Sequence, residues 1–116
     1  LHANTPRDAL ARIETMALMS GLELPSQAIR EQISSAVDII VQISRLSDGT
    51  RKIMNITEIT GMEGKTITMQ DLFVFTQTGV SADGKVQGQF TSTNIVPTFI
   101  DEIRTRGLDL DLAIFR

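Results

Sequence analysis

The stretch Val37-Asp38-Ile39-Ile40-Val41-Gln42-Ile43 decides the fold class of this 116-residue chain. Most of its residues are Val or Ile, the β-branched types that favour strands. Apolar residues at successive positions predict a strand buried on both faces, as in the parallel sheets of α/β domains. Such a strand needs parallel neighbours, and no βαβ unit in this chain supplies them. We therefore expect an α/β domain whose partner strands lie on the N-terminal side.

Two helices are predicted ahead of this strand. Thr5, Pro6 and Asp8 predict a helix start, because the Thr5 hydroxyl can accept from the Asp8 amide and Pro suits the first helical position. Apolar residues then recur at helical spacing as far as Gly21, a residue type that often ends helices. A second helix is predicted to begin at Pro25.

An antiparallel meander is predicted after the strand. Asp48-Gly49 and Glu63-Gly64 are hairpin signals between alternating segments. The predicted strands are residues 53–59, 66–76 and 86–91.

The C-terminal part of the chain is predicted to be a short helix and a tail. Residues 97–106 predict a helix that Gly107 closes. We therefore expect residues 1–107 to form one unit. In the tail, residues 108–116, leucines alternate with Asp109 and Asp111, and the pattern assigns no structure.

Composition excludes several classes of function. The chain has no cysteine, which excludes disulfides, Cys-ligated zinc and thiol catalysis. Its single histidine, His2, offers no metal-ligand spacing, so no metal site is expected. A net charge of −3 with scattered Lys and Arg argues against a nucleic-acid partner. Phe73, Phe75 and Phe90 are then expected in the core and not on a base-stacking surface.

The trio Gly64-Lys65-Thr66 resembles the end of a phosphate-binding P-loop. That motif requires a glycine five residues before its second glycine, where this chain has Ile59, and it requires a following helix. Thr66 instead begins a strand pattern, and a hairpin lacks the converging amides of a helix N-terminus. The trio is therefore predicted to be a turn.

Several segments together resemble one family. The first is His2-Ala3-Asn4-Thr5-Pro6-Arg7-Asp8-Ala9-Leu10-Ala11-Arg12-Ile13-Glu14-Thr15-Met16. The others, in order, are Ala28-Ile29-Arg30-Glu31-Gln32-Ile33, Val37-Asp38-Ile39-Ile40-Val41-Gln42, Ile56-Thr57-Glu58-Ile59-Thr60-Gly61-Met62-Glu63-Gly64 and Leu72-Phe73-Val74-Phe75. They resemble the histidine box and following elements of type II and type IV secretion ATPases, most closely the CpaF-like ATPases of tight-adherence (Flp) pilus assembly. The resemblance extends to about Phe99.

The resemblance implies the C-terminal part of a RecA-like P-loop NTPase domain. It implies a hexameric motor, cytoplasmic and peripheral at the inner membrane, that hydrolyses ATP with Mg to drive pilus assembly or secretion. Its partners would be the platform proteins of the pilus or secretion system. The P-loop and the acidic motifs for Mg are absent from this chain, so the chain alone is expected to bind neither ATP nor Mg and to be inactive.

The resemblance also implies a set of site residues. His2 would be the catalytic residue of the histidine box, near the γ-phosphate or a subunit boundary, with Asn4 and Thr5 beside it. Four further positions match the family: Arg12, Glu14, Arg30 and Gln32. These four are expected to pack helices first, with nucleotide or subunit contact as the alternative. The competing hypothesis for the whole chain is a non-enzymatic α+β interaction module.

Overall fold

The N-terminal part of the chain forms the two predicted helices. The computed structural model describes residues 1–21 and 23–116. Helix α1 is Pro6–Met19, and helix α2 is Ser26–Ala36. The Thr5 hydroxyl caps α1 by accepting from the Asp8 amide at 3.0 Å, which confirms the predicted start.

A four-stranded sheet follows the helices. Its strands are β1 (Ile39–Arg45), β2 (Arg51–Glu63), β3 (Thr66–Val80) and β4 (Val86–Ser92). The spatial order is β1-β2-β3-β4, and every neighbouring pair is antiparallel. The predicted meander is therefore confirmed, with strands longer than the sequence pattern indicated.

The prediction for residues 37–43 is confirmed for the strand and wrong for its burial. Strand β1 pairs antiparallel with β2 at an edge of the sheet, and among the described residues it has no parallel neighbour, in agreement with the missing βαβ unit. It is not buried on both faces, because Ile39, Val41 and Ile43 are 40%, 50% and 56% exposed. The alternate residues Ile40 and Gln42 turn towards the interior, and Val37, just ahead of β1, packs against the same core as Ile40. A dense run of β-branched residues thus indicates a strand without indicating what covers it.

The main core lies between the helices and the sheet. Its buried side chains are Leu10, Ile29, Ile33, Ile59 and Ile67. Each such aliphatic side chain contributes about 1.5–3 kcal/mol when removed from water. The helical spacing in α1 and α2 and the alternation in β2 and β3 bring these residues together.

The C-terminal segment has more structure than was predicted. Helix α3 is shorter than expected, Ile100–Thr105, and a 3₁₀ helix, Leu112–Phe115, lies in the tail. Phe115 is 5% exposed, and its ring centroid lies 5.9 Å from that of Phe73. Phe73 also stacks on Phe90 at 5.6 Å, but Phe90 is 45% exposed, so the aromatic residues form a cluster at the sheet surface and only partly a core.

The architecture is mixed α/β, with helices packed on one antiparallel sheet. In residues 1–21 and 23–116, no helix is long and apolar enough to cross a membrane. The predicted α/β class holds at this coarse level.

Candidate functional site

His2 and Asn4 lie in a groove beside the free edge of the sheet. Both line an open cavity of about 480 Å³ between residues 1–4 and residues 41–45 of β1. The N-terminal segment is fixed there by Gln42, a 5%-exposed residue whose Nε2 donates to the Ala3 carbonyl oxygen at 2.8 Å. Both His2 and Asn4 are exposed. The His2 imidazole is therefore accessible to a group of another molecule.

Thr5 has a structural role at the start of α1 and also faces a second cavity. The cavity measures about 370 Å³ and includes Arg7, Asn55 and Thr57 among its lining residues. The Thr57 hydroxyl donates to Asp71 Oδ1 at 2.6 Å at the base of this region. Because the Thr5 hydroxyl is engaged in the helix cap, it fixes the direction of the preceding histidine segment.

Glu14 and Arg30 form an ion pair between α1 and α2. The Arg30 Nε lies 3.1 Å from both carboxylate oxygens of Glu14, and Arg30 Nη1 donates to the Lys65 carbonyl oxygen at 3.1 Å. The Glu14 side chain is 15% exposed, and the Arg30 side chain is 39% exposed. Such a partly exposed pair contributes about 1 kcal/mol or less. The contacts tie both helices to the β2–β3 turn.

A basic cavity lies next to this ion pair. It measures about 230 Å³, and Arg7 and Lys65 join Arg30 and Glu14 in its lining. Arg7 Nη2 donates to the Ile67 carbonyl oxygen at 3.1 Å, so this cation also anchors α1 to the sheet. The sequence did not single out Arg7 as a site residue, although its position in the first turn of α1, next to the cap, was a signal.

The seven predicted site residues do not form a single site. His2 and Asn4 share the groove at β1, whereas Glu14 and Arg30 share a different cavity. Arg12 on α1 and Gln32 on α2 are exposed and line neither of these cavities. The arrangement is a surface with two separated polar regions.

Lys65 lies in a two-residue turn, as predicted. Glu63 pairs with Thr66 across the hairpin, and Gly64 has a φ of +60°. The chain continues directly into β3, so no helix N-terminus points at Lys65. The trio is not a phosphate loop. Within the described parts of the chain, no cluster of His, Cys, Asp or Glu forms a metal site.

Glu58 is a buried carboxylate that sequence reasoning did not single out. It is 2% exposed and accepts from Gln70 Nε2 at 2.7 Å, from the Thr98 hydroxyl at 2.6 Å and from the Thr98 amide at 3.0 Å. A signal was present, because Glu58 continues an apolar row of β2 that also contains Met54 and Ile56. With all its partners supplied by the chain, this carboxylate fixes the C-terminal segment to the sheet.

Asp48 links two distant parts of the sheet. It accepts from the Thr50 hydroxyl at 2.6 Å, and its other oxygen accepts from the Val86 amide at 2.8 Å. These hydrogen bonds, led by that from Thr50, lower the pKa of Asp48 from 3.8 to about 2. A hydrogen bond from Ser81 likewise lowers the pKa of Asp83. Both carboxylates stabilise turns and lie apart from the histidine groove.

Comparison with known proteins yields a limited similarity. No family model matches the chain. Over 65 residues it is 29% identical to putative conjugal transfer proteins of Mycobacterium tuberculosis, one from strain CDC 1551 and one from strain H37Rv. The chain is similar to part of a conjugal transfer protein. The matched segment is 56% of this chain and spans only 18% of the length of each relative.

Proposed function

We propose that this chain is part of a motor ATPase of a secretion, conjugation or pilus-assembly system. The observation that carries the proposal is the His2-Ala3-Asn4-Thr5 segment, which is held directly ahead of α1 with His2 and Asn4 exposed, in a chain that is similar to conjugal transfer proteins. Conjugal transfer is loosely related to type IV secretion. The finer assignment to the CpaF-like pilus ATPases rests on the resemblance of the sequence segments.

In this proposal, His2 is the residue that acts on or senses the nucleotide. Two contacts favour that role, because the Thr5 cap and the Gln42–Ala3 hydrogen bond fix the segment on both sides of Asn4 while His2 stays exposed. Histidine is also suited to such work, since it donates or accepts hydrogen bonds near neutral pH.

ATP and Mg belong to the proposal only through the rest of a longer protein. The residues of this chain do not fit them, because Lys65 occupies a hairpin and the described residues contain no cluster of Mg ligands. The phosphate loop and the Mg-binding carboxylates would come from another segment of the full-length protein. We expect that protein to assemble as a hexamer at the cytoplasmic face of the inner membrane.

Arg12 and Gln32 are proposed as contacts between subunits. Both are exposed on the helical side of the molecule. Glu14 and Arg30, in contrast, are occupied with each other, and their proposed role is to hold α1 and α2 in one orientation. Substitution of Arg12 should therefore affect assembly more than folding.

The test is His2→Ala in the full-length protein. We expect ATP turnover to fall by about 10²-fold or more, as for loss of a group that stabilises a transition state, with ATP affinity nearly unchanged. Ser35→Ala, an exposed substitution on α2, is the matched control. Unchanged turnover in a folded His2→Ala protein would make the histidine segment structural.

A non-enzymatic interaction module is the second candidate function. The observation that favours it is the uncovered apolar side of β1, where Ile39, Val41 and Ile43 are exposed. Nucleotide binding separates the two candidates. A full-length protein that binds a partner but shows no affinity for ATP would support the module and refute the motor.

A further inference from the structure

The basic cavity concentrates positive charge where α1, α2 and the β2–β3 turn meet. Arg7, Arg30 and Lys65 line it together with a single carboxylate, that of Glu14. The lining therefore carries two more positive charges than negative ones, whereas the whole chain has a net charge of −3. An acidic protein thus presents one local surface that attracts anions.

Hydrogen bonds to the backbone hold both arginines in place. Arg7 Nη2 donates to the Ile67 carbonyl oxygen at 3.1 Å, and Arg30 Nη1 donates to the Lys65 carbonyl oxygen at the same distance. The Glu14 carboxylate also holds Arg30 by its Nε. Because these side chains are already ordered, a ligand that binds them loses less free energy to the ordering of side chains.

Donors of all three cations remain available in the cavity. Within residues 1–21 and 23–116, no hydrogen bond or ion pair engages Arg7 Nε and Nη1, Arg30 Nη2 or the Lys65 ammonium group. Buried Leu10 and Ile67 form an apolar base beneath these groups. Hydrogen bonds to an anion are stronger beside such an apolar base than in open water.

We propose that the basic cavity binds a phosphate group in its dianionic form. Guanidinium forks and an ammonium group are the donors that proteins use for phosphate, and two excess positive charges match a dianion. A carboxylate is planar and carries one charge, so a single arginine fork satisfies it. The volume of about 230 Å³ lies below the roughly 300–1,000 Å³ of pockets that enclose a whole small molecule. A phosphate group therefore enters, and any molecule that carries it stays outside.

This site differs from a P-loop in its donors. A P-loop holds phosphate with backbone amides at a helix N-terminus, whereas the basic cavity offers side chains. The Gly64-Lys65-Thr66 trio remains a hairpin turn and contributes the Lys65 ammonium group. Every lining residue belongs to α1, α2, the β2–β3 turn or the start of β3, and none belongs to β1 or to the His2 segment. The inference does not rest on the proposed function.

Calorimetric titration with inorganic phosphate tests the site. At about pH 8 a phosphate group carries close to two negative charges. The 116-residue chain is the sample, because the full-length protein would add the proposed phosphate loop. We expect a dissociation constant of about 1 mM or lower. Acetate at the same ionic strength should bind about tenfold more weakly. Glycerol 3-phosphate identifies the source, because tighter binding than inorganic phosphate indicates a phosphate carried on a larger molecule, and equal binding indicates the free ion.

Lys65→Ala and Lys85→Ala form a matched pair of variants. Both lysines are exposed, both lie in hairpin turns of the same sheet, and both substitutions remove one positive charge. Lys65→Ala should weaken phosphate binding by about tenfold, as for loss of one hydrogen bond between charged groups, and Lys85→Ala should leave it unchanged. Arg7→Gln is a second variant and should weaken binding by a similar factor. Circular dichroism verifies that the variants fold.

Amide chemical shifts locate the bound phosphate. On titration, the amide resonances of Lys65, Thr66 and Ile67 should move, and those of residues 81–85 should not. Absence of binding at about 10 mM phosphate would overturn the proposal. Equal binding of acetate, or equal effects of Lys65→Ala and Lys85→Ala, would also overturn it, because the cations would then act only through the general charge of the surface.

Discussion

Replacement of Glu58 by Ala probes the connection between the C-terminal segment and the sheet. The carboxylate is 2% exposed and accepts from the side chain of Gln70 and from both the hydroxyl and the amide of Thr98. Alanine removes every acceptor at once. The Thr98 amide then loses its acceptor, next to the buried Pro97, although Thr98 itself is exposed.

The expected loss of stability is about 3 kcal/mol. Hydrogen bonds to a charged acceptor contribute about 1.5–3 kcal/mol each, but water can reach the exposed Thr98 in place of the lost carboxylate, which reduces the loss. Release of the buried charge from its desolvated position offsets part of this sum. Glu58→Gln keeps one acceptor oxygen for Thr98, so it should lower the free energy of unfolding by only about 1 kcal/mol.

Urea unfolding at a fixed protein concentration measures these differences. For an m-value of about 1–2 kcal/mol per M, Glu58→Ala should lower the midpoint by roughly 1.5–3 M. A Glu58→Ala variant within about 0.5 kcal/mol of its parent would refute the reasoning, because this is the range of neutral surface substitutions.

Three further predictions concern the sheet and its turns. Gly88→Ala should lower the free energy of unfolding by about 1–3 kcal/mol, because the added methyl group would overlap the Phe75 ring. Gly79→Ala, which has open space around it, should leave the stability nearly unchanged. Equal effects of the two substitutions in thermal or urea unfolding would contradict this packing. Because the folded pKa of Asp48 is lowered to about 2, its stabilisation is present above about pH 4 and is lost as the pH falls towards 2. Asp48→Asn should reduce this acid dependence in unfolding measured between pH 2 and 5, and an unchanged slope would refute the assignment. Phe115→Ala should lower the free energy of unfolding by about 3–5 kcal/mol, because the ring is buried. Unchanged stability would mean that the C-terminal tail does not pack against the sheet.

Local signals in the sequence predicted the local structure well. The Thr5 cap and the turns at Gly49 and Gly64 were predictable because each depends on a few neighbouring residues. The failures concern contacts across the chain. The run at residues 37–43 indicated a strand but not its exposure, because exposure depends on which elements lie beside it. The position of Phe115 against Phe73 had no local signal at all.

In the candidate site, too, the sequence indicated individual residues better than their contacts across the chain. The resemblance selected Glu14 and Arg30 by position, and the geometry shows that they bind each other across the helix pair. It also selected His2, which the structure leaves exposed beside β1. The nucleotide role proposed for His2 depends on groups that this chain does not contain, so neither its sequence pattern nor its geometry predicts that role.

ATP turnover by the full-length protein, measured beside the 116-residue chain, tests the central claim most directly. The proposal predicts that the full-length protein hydrolyses ATP, that the chain alone does not, and that Lys65→Ala in the full-length protein leaves turnover unchanged because Lys65 lies in a hairpin turn. A full-length protein that neither binds nor hydrolyses ATP, or a chain that hydrolyses ATP on its own and loses this activity with Lys65→Ala, would contradict the account.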